Sequence, residues 1–176
     1  MYGIQAAGTG LATILNNVVR SIGVNPYNGN GIQASTGGAK VSGNIVIDYG
    51  TVNGAPIGVS APTAEVTYNL CFNNRGSCPA GGGNLNADPL FVDLESYELG
   101  AGSPAIDAGP PDYTRADLDR TRNDMGAHGG PWSIGQYDAQ RDPYNFAPYV
   151  YPLIKTDAAP GGGLLEIEAL GVAKLR

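Results

Sequence analysis

Apolar residues in the first half of the chain come in twos and threes, never in long periodic runs. Ile45-Val46-Ile47 and Val66-Thr67-Tyr68-Asn69-Leu70 are typical, and Gly, Asn, Ser or Pro interrupts such runs every few residues. No stretch between Tyr2 and Asn84 carries the about ten residues of 3.6 periodicity that a helix requires. Short β-branched runs broken by turn residues predict short strands instead.

The runs recur. Gly3-Ile4-Gln5-Ala6 returns as Gly31-Ile32-Gln33-Ala34 and, loosened, as Gly58-Val59-Ser60-Ala61, at spacings of 28 and 27 residues. Asn17, Asn44 and Asn69 keep the same beat, at spacings of 27 and 25. Each Asn follows an apolar residue three back (Ile14, Val41, Val66) and precedes one two ahead (Val19, Val46, Cys71). A period of this length marks an array of stacked units. Helical arrays lack support in the periodicity, and the Leu-x-x-Leu-x-Leu signature of leucine-rich repeats is absent. The remaining prediction is an all-β, single-stranded parallel β-solenoid of about three to four coils, one coil per repeat.

Stacking places equivalent residues about 4.8 Å apart. Three apolar ladders are expected: Ile4/Ile32/Val59, Ile14/Val41/Val66 and Val19/Val46/Cys71. The Asn17/Asn44/Asn69 ladder falls at a turn, where each amide can bond the next. Because that turn interrupts the alternation, the inward set is read as Val19/Val46/Cys71 rather than Val18/Ile45/Leu70.

Composition narrows the setting. Gly supplies 27 of 176 residues, well above the usual ~7%, as a turn-dense β fold demands. Net charge is −6 with three Lys, which argues against a nucleic-acid partner and against unassisted binding of acidic polysaccharides. No stretch reaches the ~18 apolar residues of a membrane span. The N-terminus carries no basic-then-apolar leader and opens inside a repeat, which suggests a start within a longer parent chain. Cys71 and Cys78 flank a Gly-bearing turn. They suit a small disulfide loop in an extracellular chain, although Cys71 also fits as a small core residue.

From Asn86 the text changes to NADPLFVD (86–93), YELGAGSPAIDAG (97–109) and DLDRTRNDMGAHGGP (117–131). These phrases, in this order, resemble the C-terminal end of secreted right-handed parallel β-helix proteins of the pectate-lyase-like kind. More closely they resemble the subgroup with a cell-surface choice-of-anchor β-helix region. VTYNLCFNN (66–74) resembles that family's last coil. Cys71 and His128 stand where aromatics are common in the family. The resemblance implies a right-handed parallel β-helix, export, and attachment to a larger surface or secreted protein. It implies no activity, because the fold hosts lyases, hydrolases, adhesins and structural rods alike. The chain divides on this reading into β-helix coils (1–100), a C-terminal cap motif (101–131), and a Tyr/Pro-rich tail with a terminal edge strand (132–176). Phe91, Leu99 and Ile106 are expected to cover the last coil.

Candidate chemistry is sparse. Glycosidases need two carboxylates about 5–9 Å apart. The coils carry only Asp48 and Glu65. Register sets Glu65 beside Lys40, and Asp48 beside Ser21 and Asn73, so the two acids do not converge. A lyase needs a base and often Ca²⁺. Arg20 aligns with Ile47 and Phe72, away from any acidic cluster. His128 reads as a capping ring. Asp117, Asp119, Thr121, Asn123 and Asp124 place oxygens on alternate residues, as in the start of a Ca²⁺ loop, but the central Gly and the closing Glu are missing. The alternative is an Arg–Asp lattice through Arg120 and Arg122, with Asp107. Tyr137, Tyr144, Tyr149 and Tyr151 are candidate sugar-stacking rings. With interspersed Pro they also suit an irregular segment packed on a neighbouring surface. Leu165, Ile167 and Ala169 alternate with Glu166 and Glu168, which predicts an edge strand able to pair with another chain or domain.

The expected function is therefore a non-catalytic structural or adhesive module of a secreted or cell-surface protein, self-associating or joined to adjoining domains through its ends. The alternatives are a carbohydrate-binding module, or the C-terminal fragment of a polysaccharide lyase or glycoside hydrolase whose active coils lie upstream.

Overall fold

The computed structural model describes residues 3–22, 30–49, 58–131 and 133, together with the backbone of Tyr149–Ile154 and Ile167–Val172. Two compact units are present, Met1–Tyr137 and Asp138–Arg176.

In the first unit each repeat supplies three short strands. The first repeat gives β1 (Ile4–Ala6), β2 (Thr13–Leu15) and β3 (Val18–Arg20). The second gives β4 (Ile32–Ala34), β5 (Lys40–Ser42) and β6 (Ile45–Ile47), and the third gives β7 (Val59–Ser60), β8 (Glu65–Thr67) and β9 (Leu70–Phe72). A single further strand, β10 (Leu85–Asn86), follows. Equivalent strands pair in parallel, in three sheets ordered β1-β4-β7, β2-β5-β8 and β3-β6-β9-β10. The register is Ile4↔Ile32↔Val59, Ile14↔Val41↔Val66 and Val19↔Val46↔Cys71. Among the described residues there is no α-helix, only a 3₁₀ turn at Tyr113–Arg115.

All three sheets contribute to one apolar cluster that includes Ile32, Ala34, Val41, Val46, Val59 and Cys71. The recurring Gly has a steric origin there. A Cβ on Gly31 would run into the Val46 side chain and lie 2.7 Å from the Gly58 carbonyl, and one on Gly3 would lie 2.7 Å from the Gly31 carbonyl.

Val19, Val46 and Cys71 face the shared cluster, as read from the sequence, but Val18/Ile45/Leu70 are not left to solvent. Ile45 and Leu70 are fully buried, in a second cluster with Ile47, Ala105 and Met125, and Val18 packs partly buried against it. The third sheet is thus apolar on both faces, as parallel strands covered on both sides are. Its outer face is covered by the segment that follows β10. Phe91 and Leu99 pack there and form an isolated bridge with each other. Ile106, expected in the cover, is 38% exposed, while Ala105 and Met125 are completely buried. The segment runs along the flank of the repeats and reaches back to the first of them. Asn16 Nδ2 donates to Asn123 Oδ1 and to the Asp124 carbonyl, and Gly126 N–H donates to the Gly43 carbonyl at 2.7 Å. Gly126 lies at φ +91°, and a Cβ there would sit 2.8 Å from Ile45 Cδ1, so this close approach requires glycine.

Cys71 and Cys78 form a disulfide with Cα atoms 5.4 Å apart, and both are buried in the shared cluster. A bridge over a sequence separation of 7 contributes about 2–3 kcal/mol by restricting the unfolded chain. Reduction with dithiothreitol is expected to lower the unfolding free energy by about that much, read as a shift in the urea midpoint.

In the second unit, β11 (Tyr149–Ile154) and β12 (Ile167–Val172) form an antiparallel pair with Tyr149 opposite Val172 and Ile154 opposite Ile167. The edge strand expected within Leu164–Leu175 therefore has a partner within the chain. Tyr137 and Tyr144 lie outside the described residues, as do the side chains of Tyr149 and Tyr151.

Candidate functional site

The most regular polar feature is the corner between the second and third sheets. The residue before each ladder Asn is left-handed: Asn16 (φ 49°), Gly43 (φ 69°), Tyr68 (φ 55°) and Gly83 (φ 73°). That conformation turns the chain sharply and aims the next side chain inward. The ladder has four members, since Asn84 aligns below Asn69 through the pairing of Leu85 with Leu70. Asn84 escaped the sequence reading because the last interval is only 15 residues and no strands of the first two sheets accompany it.

Each rung is bonded the same way. Asn17 N–H and Nδ2 both donate to Asn44 Oδ1, at 3.0 and 2.9 Å. Asn44 does the same to Asn69 Oδ1, at 3.1 and 2.9 Å, and Asn69 to Asn84 Oδ1, at 2.9 and 3.1 Å. In return Ile45 N–H donates to the Asn17 carbonyl, Leu70 N–H to that of Asn44, and Leu85 N–H to that of Asn69. Remaining amide protons go to main-chain carbonyls, as from Asn44 Nδ2 to Ile14 and Ser42. Asn44 and Asn69 are completely buried, and every polar atom of their amides is satisfied.

The acids and bases of the repeats pair off locally. Lys40 Nζ lies 3.5 Å from Glu65 Oε2, in register as expected. Arg20 Nε donates to Asp48 Oδ2 at 2.9 Å, one residue out of register, and Asn73 Nδ2 donates to Asp48 Oδ1 at 2.7 Å. The Asp48 carboxylate, then the Tyr97 hydroxyl, favours the charged form of Arg20. Asp48 follows β6 of the third sheet, whereas Glu65 lies in β8 of the second. His128 Nε2 lies 2.8 Å from the Ser96 carbonyl, within the cover segment.

The carboxylates of the acidic run accept from backbone N–H groups, and Asp117 and Asp124 also lie near each other. Asp117 accepts from the N–H groups of Gly130 and Asp124, Asp124 accepts from Asp107 N–H at 2.7 Å, and Asp119 accepts from the N–H and hydroxyl of Thr121. Asn123 is buried, accepts from Asn16, and donates to the Arg115 carbonyl. The Arg–Asp lattice is replaced by carboxylate–backbone bonds. Arg122 donates to the Gly109 and Ala108 carbonyls and lies 5.4 Å above the Tyr68 ring. Turn N–H groups have no strand partner and need acceptors, which nearby Asp carboxylates supply; Arg has only donors and goes to carbonyls instead. Among the described residues, no group of three or more His, Cys, Asp or Glu side chains could hold a metal ion.

Burial, the largest cause, pushes the half-buried Asp117 carboxyl up to about 6, and burial also raises Asp124. The native chain therefore holds protons that the unfolded chain releases between about pH 4 and 6. Stability should fall as pH rises through that window and stay level above it. The expected loss is about 1 kcal/mol once solvent screening of a half-exposed group is allowed for. Asp119, Asp112 and Asp93 are held low by hydrogen bonds from Thr121, Thr114 and Ser96, so their contribution disappears only below about pH 4. Urea midpoints at pH 4.5 and 7 check this, and Asp117→Asn should flatten the slope.

Comparison with family models, with curated proteins and with solved structures finds no match to this chain.

Proposed function

We propose that the chain is a non-catalytic structural module, a right-handed parallel β-helix segment of a secreted or cell-surface protein. The observation that carries this reading is the buried asparagine ladder. Its side chains spend their hydrogen-bonding capacity on one another and on the backbone, which favours rigidity over reactivity.

Three further observations support it. The acids of the repeats, Asp48 and Glu65, are paired with Arg20 and Lys40. The open groove lined by Ser60, Ala61, Pro62, Ala64, Val66 and Pro79 offers no titratable side chain. The Cys71–Cys78 bridge suits an oxidising compartment, and the DPLF and SPAIDAG phrases point the same way by resemblance.

The test pairs activity with rigidity. Incubation with neutral and acidic polysaccharides should release no reducing ends and no unsaturated products. Amide exchange should be slowest at Asn44, Asn69 and their strand neighbours. Turnover of any polysaccharide would overturn the structural reading, and fast exchange at the ladder would remove its physical basis.

A further inference from the structure

The upper edge of the first repeat has the hydrogen-bonding pattern of an unfilled rung. Strands β1, β2 and β3 are edge strands of their sheets. Asn44, Asn69 and Asn84 each accept two bonds at Oδ1 from the preceding Asn, whereas Asn17 Oδ1 has no donor among the described residues. Ile45, Leu70 and Leu85 each donate N–H to the preceding Asn carbonyl, so Val18 N–H, in the same position, faces the open edge. Thr13 N–H likewise corresponds to the N–H of Lys40 and Glu65, which donate to Ala12 and Ala39. Core burial also thins here. Ile32 and Val41 are completely buried, while Ile4 is only partly covered and Leu11 is 87% exposed.

We propose that this edge docks the downstream end of another parallel-β repeat whose turn residue is an asparagine with free N–H and amide groups. The proposal rests on the structural-module reading and names the partner of that module. The incoming Asn would donate both N–H and Nδ2 to Asn17 Oδ1 and accept from Val18 N–H through its carbonyl, continuing a pattern present three times below.

A second copy of this chain does not fit that role. Its last ladder residue, Asn84, turns its N–H to the Gly81 carbonyl and its Nδ2 to Val66, Pro79 and Gly81. The lower end is thus closed as a donor. Two upper edges brought face to face would set Asn17 Oδ1 against Asn17 Oδ1, acceptor against acceptor.

The experiment supplies the rung in cis. A copy of residues 31–57 is placed directly ahead of Gly3, so that its asparagine falls one repeat before Asn17. Exchange at the Val18 and Thr13 amides should slow roughly 100-fold relative to the parent chain. Replacing that added asparagine with alanine should abolish most of the gain. Unchanged exchange at Val18 and Thr13, with the rest of the repeats still protected, would overturn the proposal. So would equal protection by the alanine version, or concentration-dependent dimers of the parent chain that protect Val18. Polysaccharide turnover, which would sink the structural reading, leaves these exchange rates untouched, so the two failures are distinguishable.

Discussion

Asn44→Ala is expected to lower the unfolding free energy by about 3–5 kcal/mol, a large share of the about 5–15 kcal/mol of an ordinary domain. The side chain is completely buried and sits mid-ladder. Its loss strips the acceptor from Asn17 N–H and Nδ2, and the donors from Ile14, Ser42 and Asn69. Each group left behind is buried or nearly so and carries the desolvation penalty of an unmade bond. Asn44→Asp should be about as damaging, because a carboxylate cannot donate to those carbonyls and would be buried beside them. Asn17→Ala is the control. That residue is only half-buried and ends the ladder, so its loss should cost about 1 kcal/mol. Urea denaturation of the three variants measures the gradient. Equal losses at Asn17 and Asn44 would mean that the ladder is not a cooperative column.

Leu70→Ala carries the second large effect. Leu70 has no exposed surface and lies between the third sheet and the flanking cover, with Ile45, Ala105 and Met125. Truncation is expected to cost about 3–4 kcal/mol, from lost transfer energy and an incompletely collapsed cavity. Two residues on, on the same face of the same strand, Phe72 is 37% exposed, and Phe72→Ala should cost under about 1 kcal/mol. The contrast tests whether the segment from Pro89 to Gly130 is part of the fold rather than an appendage. If Leu70→Ala costs no more than Phe72→Ala, the cover does not pack as described.

The stacked register was legible because side-chain spacing along a repeat is set by strand geometry, and equivalent positions then need equivalent residues. Ile4, Ile32 and Val59 fall on one line for that reason. The Lys40–Glu65 pair followed from register alone. The Arg20–Asp48 pair did not, because a long side chain reaches diagonally past its own register partner, Ile47, and register arithmetic records only direct neighbours. Asn84 was hidden because the fourth rung has one strand where earlier rungs have three.

By itself the sequence determined what recurs: short strands, their period, the asparagines at the turns, and the scarcity of convergent charge. These are local or translational properties, repeated until they rise above noise. Only the tertiary structure decided what lies against the outer face of the third sheet. Val18, Ile45 and Leu70, read as the set not facing inward, are covered by a segment some 20 to 55 residues downstream of Leu70, with Gly126 against Ile45 and Asn123 against Asn16. That contact has no period, so no pattern within the chain announces it. Tertiary structure also decided the hydrogen bonding of the acidic run, whose oxygens accept from turn N–H groups of the cover where spacing had offered a cation loop or an Arg–Asp lattice.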